Sequence, residues 1–129
     1  MTKLLLDTHT FIWWHSEPNK LSKSALEHLE DKTNRLLFST VIAWEMQIKS
    51  QLGKLKLNTS LKEIITRQQQ INAIQILPVE LTHVLALEKL PDYHKDPFDR
   101  LLVAQANIED AILVSRDNCF TQYLVKLLW

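Results

Sequence analysis

Residues 96–117 read DPFDRLLVAQANIEDAILVSRD, and they decide the predicted fold because a strong helix start is followed by a short apolar strand. Asp96 is predicted as the N-cap, Pro97 takes the first helical position and Asp99 lies in the first turn. The apolar run over 111–115 then predicts a strand. Such a helix–strand unit is typical of proteins built on a parallel sheet.

The same alternation of helical periods and short apolar runs recurs along the chain. It predicts strands over 4–6, 36–38, 74–79 and 111–115, a further strand within 123–129, and helices over 8–15, from about 22, and over 40–52, 60–72, 81–90 and 96–109. The predicted fold class is therefore α/β, a three-layer sandwich around a central, mainly parallel sheet of four or five strands. No linker composition interrupts the pattern, so residues 1–129 are expected to form a single domain.

The composition is that of an ordinary globular protein, with 46% hydrophobic and 23% charged residues. Gly53 is the only glycine, which excludes a glycine-rich phosphate loop. The formal net charge of zero argues against broad electrostatic capture of nucleic acid. Cys119 is the only cysteine, which excludes an internal disulfide, and no apolar run approaches the roughly 20 residues of a membrane span. We therefore expect a cytoplasmic protein with no membrane association.

Acidic residues follow the predicted strands at one edge of the sheet. Asp7 follows the first strand directly, and Asp117 comes two residues after the fourth. The carboxyl ends of parallel strands meet at the edge where open α/β sheets bind ligands. Asp99, which opens the helix before the fourth strand, and Glu45, in the helix after the second strand, are expected on the same side.

Carboxylates gathered in this way repel one another, by roughly 4 kcal/mol for two unit charges about 4 Å apart at an effective dielectric of about 20. Such a cluster persists if some of the acids are protonated or if a divalent cation neutralises them. Oxygen ligands favour Mg²⁺ or Mn²⁺ over zinc, and no Cys/His spacing of the zinc type is present. An ion of this kind is suited to phosphoryl transfer.

Each acid also has a purely structural interpretation. Asp7 fits the N-cap of the helix that begins at Thr8, and Asp117 fits the start of a short turn. Asp99 suits the dipole of the helix that it opens, and Glu45 has Lys49 as an ordinary i, i+4 partner. Position alone leaves the structural and the ligand interpretations open. Asp96 is predicted to be a structural N-cap that supports the metal ligands without binding the metal itself.

Four segments of the sequence carry a resemblance to a known family. They are Leu4-Leu5-Leu6-Asp7-Thr8-His9, Ala43-Trp44-Glu45 with Ile48-Lys49 and Gly53-Lys54-Leu55, residues 94–106 with Asp96-Pro97-Phe98-Asp99-Arg100, and Val114-Ser115-Arg116-Asp117. Together they resemble the PIN-domain family and, within it, the VapC-type toxins of bacterial toxin–antitoxin pairs. The similarity spans essentially the whole chain, and the Asp-Pro-Phe-Asp-Arg segment is its most specific piece.

The resemblance implies an Mg²⁺- or Mn²⁺-dependent endoribonuclease with a compact α/β fold. The family's acids match Asp7, Glu45, Asp99 and Asp117, and its accompanying hydroxyl residues match Thr8 and Ser115. It also implies a homodimer, a small antitoxin that binds promoter DNA, and structured RNA substrates that include transfer RNA.

These expectations combine into a hypothesis for the chemistry. Asp7, Asp99 and Asp117 hold one or two Mg²⁺ ions, with Glu45 as a further ligand directly or through water, and metal-activated water cleaves the RNA backbone. Arg100 and Arg116 are the candidate RNA contacts. His94 and Lys49 are weaker candidates of the same kind, for which a solvated or salt-bridged side chain is favoured.

Other classes of protein remain as alternatives. A haloacid-dehalogenase-like phosphatase needs a second Asp two residues after the first, where this sequence has His9, and a receiver domain needs an Asp where Pro78-Val79 stands. The other alternative is a non-catalytic α/β binding module in which the acids are helix caps.

Overall fold

The computed structural model describes residues 2–92 and 96–129. Its centre is a parallel five-stranded sheet in the order β3-β2-β1-β4-β5. The strands are β1 (Lys3–Leu6), β2 (Arg35–Ser39), β3 (Gln75–Leu77), β4 (Ile112–Val114) and β5 (Leu127–Leu128). This sheet and its covering helices confirm the predicted α/β class.

Within residues 2–92 and 96–129, six α-helices connect the strands. They are α1 (Thr8–Ser16), α2 (Lys23–Glu30), α3 (Thr40–Gln51), α4 (Leu61–Asn72), α5 (Leu81–Ala86) and α6 (Pro97–Ile108), with 3₁₀ turns at Pro18–Lys20, Leu87–Lys89 and Asn118–Gln122. The predicted starts are confirmed where a side chain caps the helix. Ser22 accepts from the Ala25 amide at 3.0 Å, and Ser60 accepts from the Glu63 amide at 3.2 Å.

The central strand is buried on both faces, which explains its uniform composition. Leu4, Leu5 and Leu6 are each 0% exposed, because β1 lies between β2 and β4 and helices cover the sheet. The edge strand β3 is shorter than the predicted 74–79. It pairs only with β2, and Pro78, which has no backbone N–H, follows its last residue.

Helix α3 begins and ends as predicted, but its buried face differs from the prediction. The three- and four-residue spacing of Val41, Trp44, Ile48 and Leu52 predicts the apolar face of this helix, but Trp44 and Leu52 are 61% and 64% exposed. The buried face instead includes Ile42, Glu45 and Met46. The prediction is confirmed for Val41, which is buried, and wrong for Trp44, because the helix packs with the Glu45 side chain rather than the tryptophan toward the interior.

Gly53 ends α3 in the predicted way. Its φ is +74°, a conformation that glycine adopts at no steric cost, and the Lys54 amide donates back to the Lys49 carbonyl at 2.9 Å. Across the described residues, none of the helices has the length and apolarity that crossing a bilayer requires.

Candidate metal centre

Asp7 and Asp117 lie at the same edge of the sheet. Asp7 follows β1 and Asp117 follows β4, and these two strands pair in parallel with Leu6 opposite Val114. Both acids line an open cleft of about 270 Å³ together with His9, Trp13 and Arg116. The structure therefore confirms the predicted juxtaposition of the two acids.

Asp7 is buried and held by two hydrogen bonds. Its Oδ1 accepts from the Thr10 amide at 2.8 Å, and its Oδ2 accepts from Ser115 Oγ at 2.5 Å. Burial raises the pKa of the Asp7 carboxyl, and these hydrogen bonds oppose that rise only in part. Asp7 is thus the N-cap of α1, as its structural interpretation required, and it still lines the cleft.

Asp99 and Asp117 meet around the thiol of Cys119. One ligand atom from each of the three residues lies within 4.8 Å of the others. Asp117 Oδ1 caps the following 3₁₀ turn by accepting from the Cys119 amide at 3.0 Å, and Cys119 Sγ lies 4.0 Å from Asp99 Oδ2. This turn brings the thiol back toward the acids.

The surroundings of Cys119 disfavour the charged form of its thiol. Burial is the largest cause that raises the pKa of the Cys119 thiol to about 12. A hydrogen bond to Asp117 and the charges of Asp99, Asp117 and Asp7 add to it. Three aspartates thus act on one thiol. Cys119 was not predicted as a residue of the site, although its position two residues after Asp117 was the available signal.

Glu45 reaches the same edge through Thr8. Its Oε1 accepts a hydrogen bond from Thr8 Oγ1, and Thr8 adjoins Asp7. Its Oε2 pairs with Lys49 Nζ at 3.0 Å, as the i, i+4 spacing predicted. Glu45 is only 7% exposed, so its charge is buried but compensated by Lys49.

The two predicted hydroxyl residues and Asp96 support the acids. Thr8 donates to Glu45 and Ser115 donates to Asp7, while Ser115 Oγ also accepts from the Asp117 amide at 3.0 Å. Asp96 caps α6, as predicted, by accepting from the Phe98 amide at 2.8 Å and the Asp99 amide at 3.3 Å. The cap fixes the helix turn that carries Asp99.

The family model named PIN domain matches residues 4–124. The chain belongs to the PIN domain family. A curated relative, Ribonuclease VapC22 of Mycobacterium tuberculosis (strain ATCC 25618 / H37Rv), is 26% identical over 118 residues, which cover 91% of this chain and 88% of the relative. The resemblance noted in the sequence is therefore confirmed.

Solved structures share the fold of this PIN domain. VapBC2 from Rickettsia felis, bound to a DNA fragment from its promoter, has a TM-score of 0.75 at 17% identity and matches 98% of both chains. DNA-bound VapBC from Salmonella typhimurium has a TM-score of 0.68 at 13% identity, with 99% of this chain and 98% of that one matched.

The two predicted RNA contacts of this PIN domain lie in different surroundings. Arg116 is exposed, lines the cleft and lies over the Trp13 ring with its guanidinium carbon 6.0 Å from the ring centroid. Arg100 Nη1 donates to the Pro91 carbonyl at 2.9 Å and lies 3.6 Å from Asp92 Oδ1. Arg116 therefore faces the acids, whereas Arg100 ties α6 to the preceding loop. His94 lies outside the described residues.

The donor set fits a divalent cation of the Mg²⁺ or Mn²⁺ type. Asp7 and Asp117 open onto one cleft, and Asp99 has a carboxylate oxygen within 4.8 Å of one from Asp117. Mutual repulsion makes such a group costly, and hard cations prefer carboxylate oxygens. A cation held here would offset the repulsion of the three aspartates.

Proposed function

We propose that this PIN domain is an Mg²⁺- or Mn²⁺-dependent endoribonuclease, the toxin of a type II toxin–antitoxin pair, that cleaves cellular RNA such as transfer RNA. The proposal rests above all on Asp117, which lines one cleft with Asp7 and the exposed Arg116 and has a carboxylate oxygen within 4.8 Å of one from Asp99. The name of the curated relative, a ribonuclease, supports the same substrate class.

In this proposal the three aspartates hold the cation, and Glu45 is a further ligand directly or through water. The cation, when bound, lowers the pKa of water and offsets charge that develops on the phosphate. Ser115 orients Asp7, and Thr8 orients Glu45, through the hydrogen bonds described above. Arg116 binds a backbone phosphate of the RNA at the rim of the cleft.

The partners belong to the same proposal. The solved relatives are VapBC assemblies, which supports a small antitoxin as the partner of this chain. We propose a homodimer that acts in the cytoplasm and is inhibited by the product of an adjoining reading frame. Adding that product to the purified nuclease should suppress RNA cleavage, and light scattering on the free protein should give twice the mass of 15.1 kDa.

The decisive experiment is cleavage of labelled RNA by the purified protein in Mg²⁺, in Mn²⁺ and in EDTA. We expect cleavage only with metal, and its loss in Asp99→Asn. Asp110→Asn is the matched control, because Asp110 is exposed, pairs only at the surface with Lys126, and has a φ of +53° that asparagine accepts. Cleavage by Asp99→Asn at the parent rate would refute the proposed site.

One observation favours a second candidate. Asp7, Asp96 and Asp117 each cap a helical turn, as expected of a non-catalytic binding module. That candidate predicts RNA binding without cleavage in any metal, so the same experiment separates the two.

A further inference from the structure

Trp13 lines the acidic cleft, yet the proposed chemistry gives it no part. It lies on α1, the helix that Asp7 caps, and it follows His9 by four residues, so the two rings share one face of the helix with their centroids 5.5 Å apart. The His9 side chain is exposed and that of Trp13 is half-buried. A large aromatic ring is therefore fixed to the same helix as a proposed metal ligand and lines the same opening.

Neighbouring side chains hold the Trp13 ring in place. It packs against the buried core, and the ring of Trp129 lies at a tilt of 60° to it with the two centroids 6.0 Å apart. A side chain that is already held in this way loses little conformational entropy when a flat ligand stacks on it.

Positive charge lies beside the same ring. Lys20 Nζ and the guanidinium carbon of Arg116 lie over it, 5.9 Å and 6.0 Å from its centroid. Lys20 also pairs with Glu17 at 2.6 Å, whereas Arg116 lines the cleft. Proteins that bind single-stranded nucleic acid combine basic groups along the backbone with aromatic rings on which the bases stack.

The spacing between Trp13 and Arg116 suits a flat base. Stacked bases are about 3.4 Å apart, so a base enclosed between an aromatic ring and a guanidinium plane separates the two by about twice that distance. The observed 6.0 Å needs to widen by only about 1 Å, and the Arg116 side chain is exposed. A guanidinium can stack through its plane while the N–H groups at its edge bind a phosphate.

We propose that Trp13 is a stacking platform for an unpaired base of the RNA, and that Arg116 covers the other face of that base while it binds the adjoining phosphate. The inference rests on the proposed function, since it needs RNA in the same cleft. Trp13 positions the RNA and takes no part in bond breaking. The base must be unpaired, because a base within a duplex is already stacked between its neighbours.

The test measures binding of an end-labelled, single-stranded oligoribonucleotide of about ten nucleotides by fluorescence anisotropy in EDTA, where the proposed nuclease leaves it intact. Trp13→Ala should bind about tenfold more weakly than the parent, and Trp13→Phe, which keeps an aromatic face, less than about threefold more weakly. Trp44→Ala is the matched control, because Trp44 is 61% exposed and its ring contacts that of Phe98 edge-on, with centroids 5.1 Å apart. The control should bind as the parent does.

A series of RNAs separates stacking from a structural effect of the substitution. When each position in turn is made abasic, one position should cost the parent about tenfold in affinity and cost Trp13→Ala almost nothing. A perfect duplex of the same sequence should bind equally to both proteins. Two results would overturn the inference: unchanged affinity of Trp13→Ala for the single strand, or an equal loss for the single-stranded, abasic and duplex RNAs.

Light scattering on Trp13→Ala covers the competing role of the ring in a contact between subunits. A lower mass than that of the parent, with unchanged RNA affinity, would place Trp13 at such a contact and refute the platform.

The outcomes also separate this inference from the proposed function. RNA cleavage in Mg²⁺ by a parent whose RNA binding does not depend on Trp13 refutes the role of Trp13 alone. Binding that depends on Trp13, in a protein that cleaves no RNA in Mg²⁺ or Mn²⁺, refutes the proposed nuclease alone.

Discussion

Two polar clusters lie inside this fold, and both involve helix α6. The first is the acidic cleft, to which α6 contributes Asp99 from its first turn. The second, here called the His83 network, consists of His83, Gln105, Ser39 and Glu109. Its first three members are each 0% exposed. Both clusters contain buried polar atoms. The acidic cleft is rich in carboxylates, whereas the His83 network pairs donors with acceptors.

In the His83 network the buried donors and acceptors are paired with one another. The Glu80 amide donates to His83 Nδ1 at 2.9 Å, so Nε2 carries the ring proton and donates to Glu109 Oε2 at 3.0 Å. Ser39 Oγ donates to Gln105 Oε1 at 2.5 Å. Such a network stabilises the fold by fixing α5 and β2 against α6.

The acidic cleft instead concentrates acceptors and negative charge. Ser115 and Thr10 donate to Asp7, and the carboxylates of Asp99 and Asp117 lie near each other and near the Cys119 thiol, whose pKa is raised first by burial and then by these acids. Helix α6 therefore carries side chains that stabilise the fold at one position, and an aspartate whose repulsion with other acids opposes folding at another. We therefore expect substitutions in the two clusters to change stability in opposite directions.

The largest effect is expected for Asp7→Asn on RNA cleavage. The rate should fall by about two to three orders of magnitude, the usual loss when a group that organises transition-state charge is removed. The fold should remain, because asparagine caps helices as well as aspartate does. Initial rates in Mg²⁺ measure the effect. Cleavage by the variant at the parent rate would show that Asp7 is not part of the catalytic site.

The next largest effect is expected for His83→Ala on stability. It should lower the free energy of unfolding by about 2–4 kcal/mol, because it leaves a cavity and deprives the Glu80 amide of its acceptor. Urea denaturation measures this loss. His28→Ala is the control, since the His28 side chain is exposed and its ring contacts the Ser24 carbonyl of its own helix. Equal changes in the free energy of unfolding of the two variants would show that the His83 network does not stabilise the fold.

A smaller effect with the opposite sign is expected for Asp7→Asn in EDTA. Burial raises the pKa of Asp7, so the folded parent keeps this proton at pH values where the unfolded chain has lost it. The parent should therefore lose stability as the pH rises from about 4 through the raised pKa, whereas the variant should not.

Urea denaturation of both proteins between about pH 4 and pH 8 tests this sign. Asp31→Asn is the contrast, because a hydrogen bond from Thr33 lowers the pKa of Asp31, and its contribution is lost as the pH falls. An Asp7→Asn protein that melts well below the parent in EDTA at neutral pH would make Asp7 chiefly a structural cap.

The smallest effect is expected at the rim of the cleft. In an Asp7→Asn background that prevents cleavage, Arg116→Ala should weaken RNA binding a few-fold and reduce the salt dependence by about one phosphate contact. Arg100→Ala should leave the salt dependence unchanged, because Arg100 is engaged with Pro91. Fluorescence anisotropy at several salt concentrations distinguishes the two. A larger change in salt dependence for Arg100→Ala than for Arg116→Ala would assign the phosphate contact to Arg100 instead.

The features predicted correctly from sequence are those with local signals. Asp96-Pro97 marks the start of α6, Gly53 ends α3, and the three leucines of β1 reveal a strand buried on both faces. The edge shared by Asp7 and Asp117 followed from the parallel direction of β1 and β4, without knowledge of any distance.

The features that escaped prediction depend on contacts between distant segments. The buried face of α3 is set by its packing against α1 and α6, so spacing alone assigned Trp44 to the wrong side. Cys119 joins Asp99 only when the turn after β4 folds beside α6. The difference between Arg100 and Arg116 likewise depends on the loop at Pro91.

The strand order has a consequence for how the protein is made. Asp7 comes from β1 and Asp117 from beyond β4, so the cleft cannot form until β4 has been synthesised and has docked between β1 and β5. A ribosome adds roughly 5–20 residues per second. The growing chain carries Asp7 and Glu45 for most of its synthesis and Asp99 only near the end, always without the strand that completes the cleft. The proposed nuclease therefore has no complete acidic cleft until β4 and Asp117 have been added to the chain.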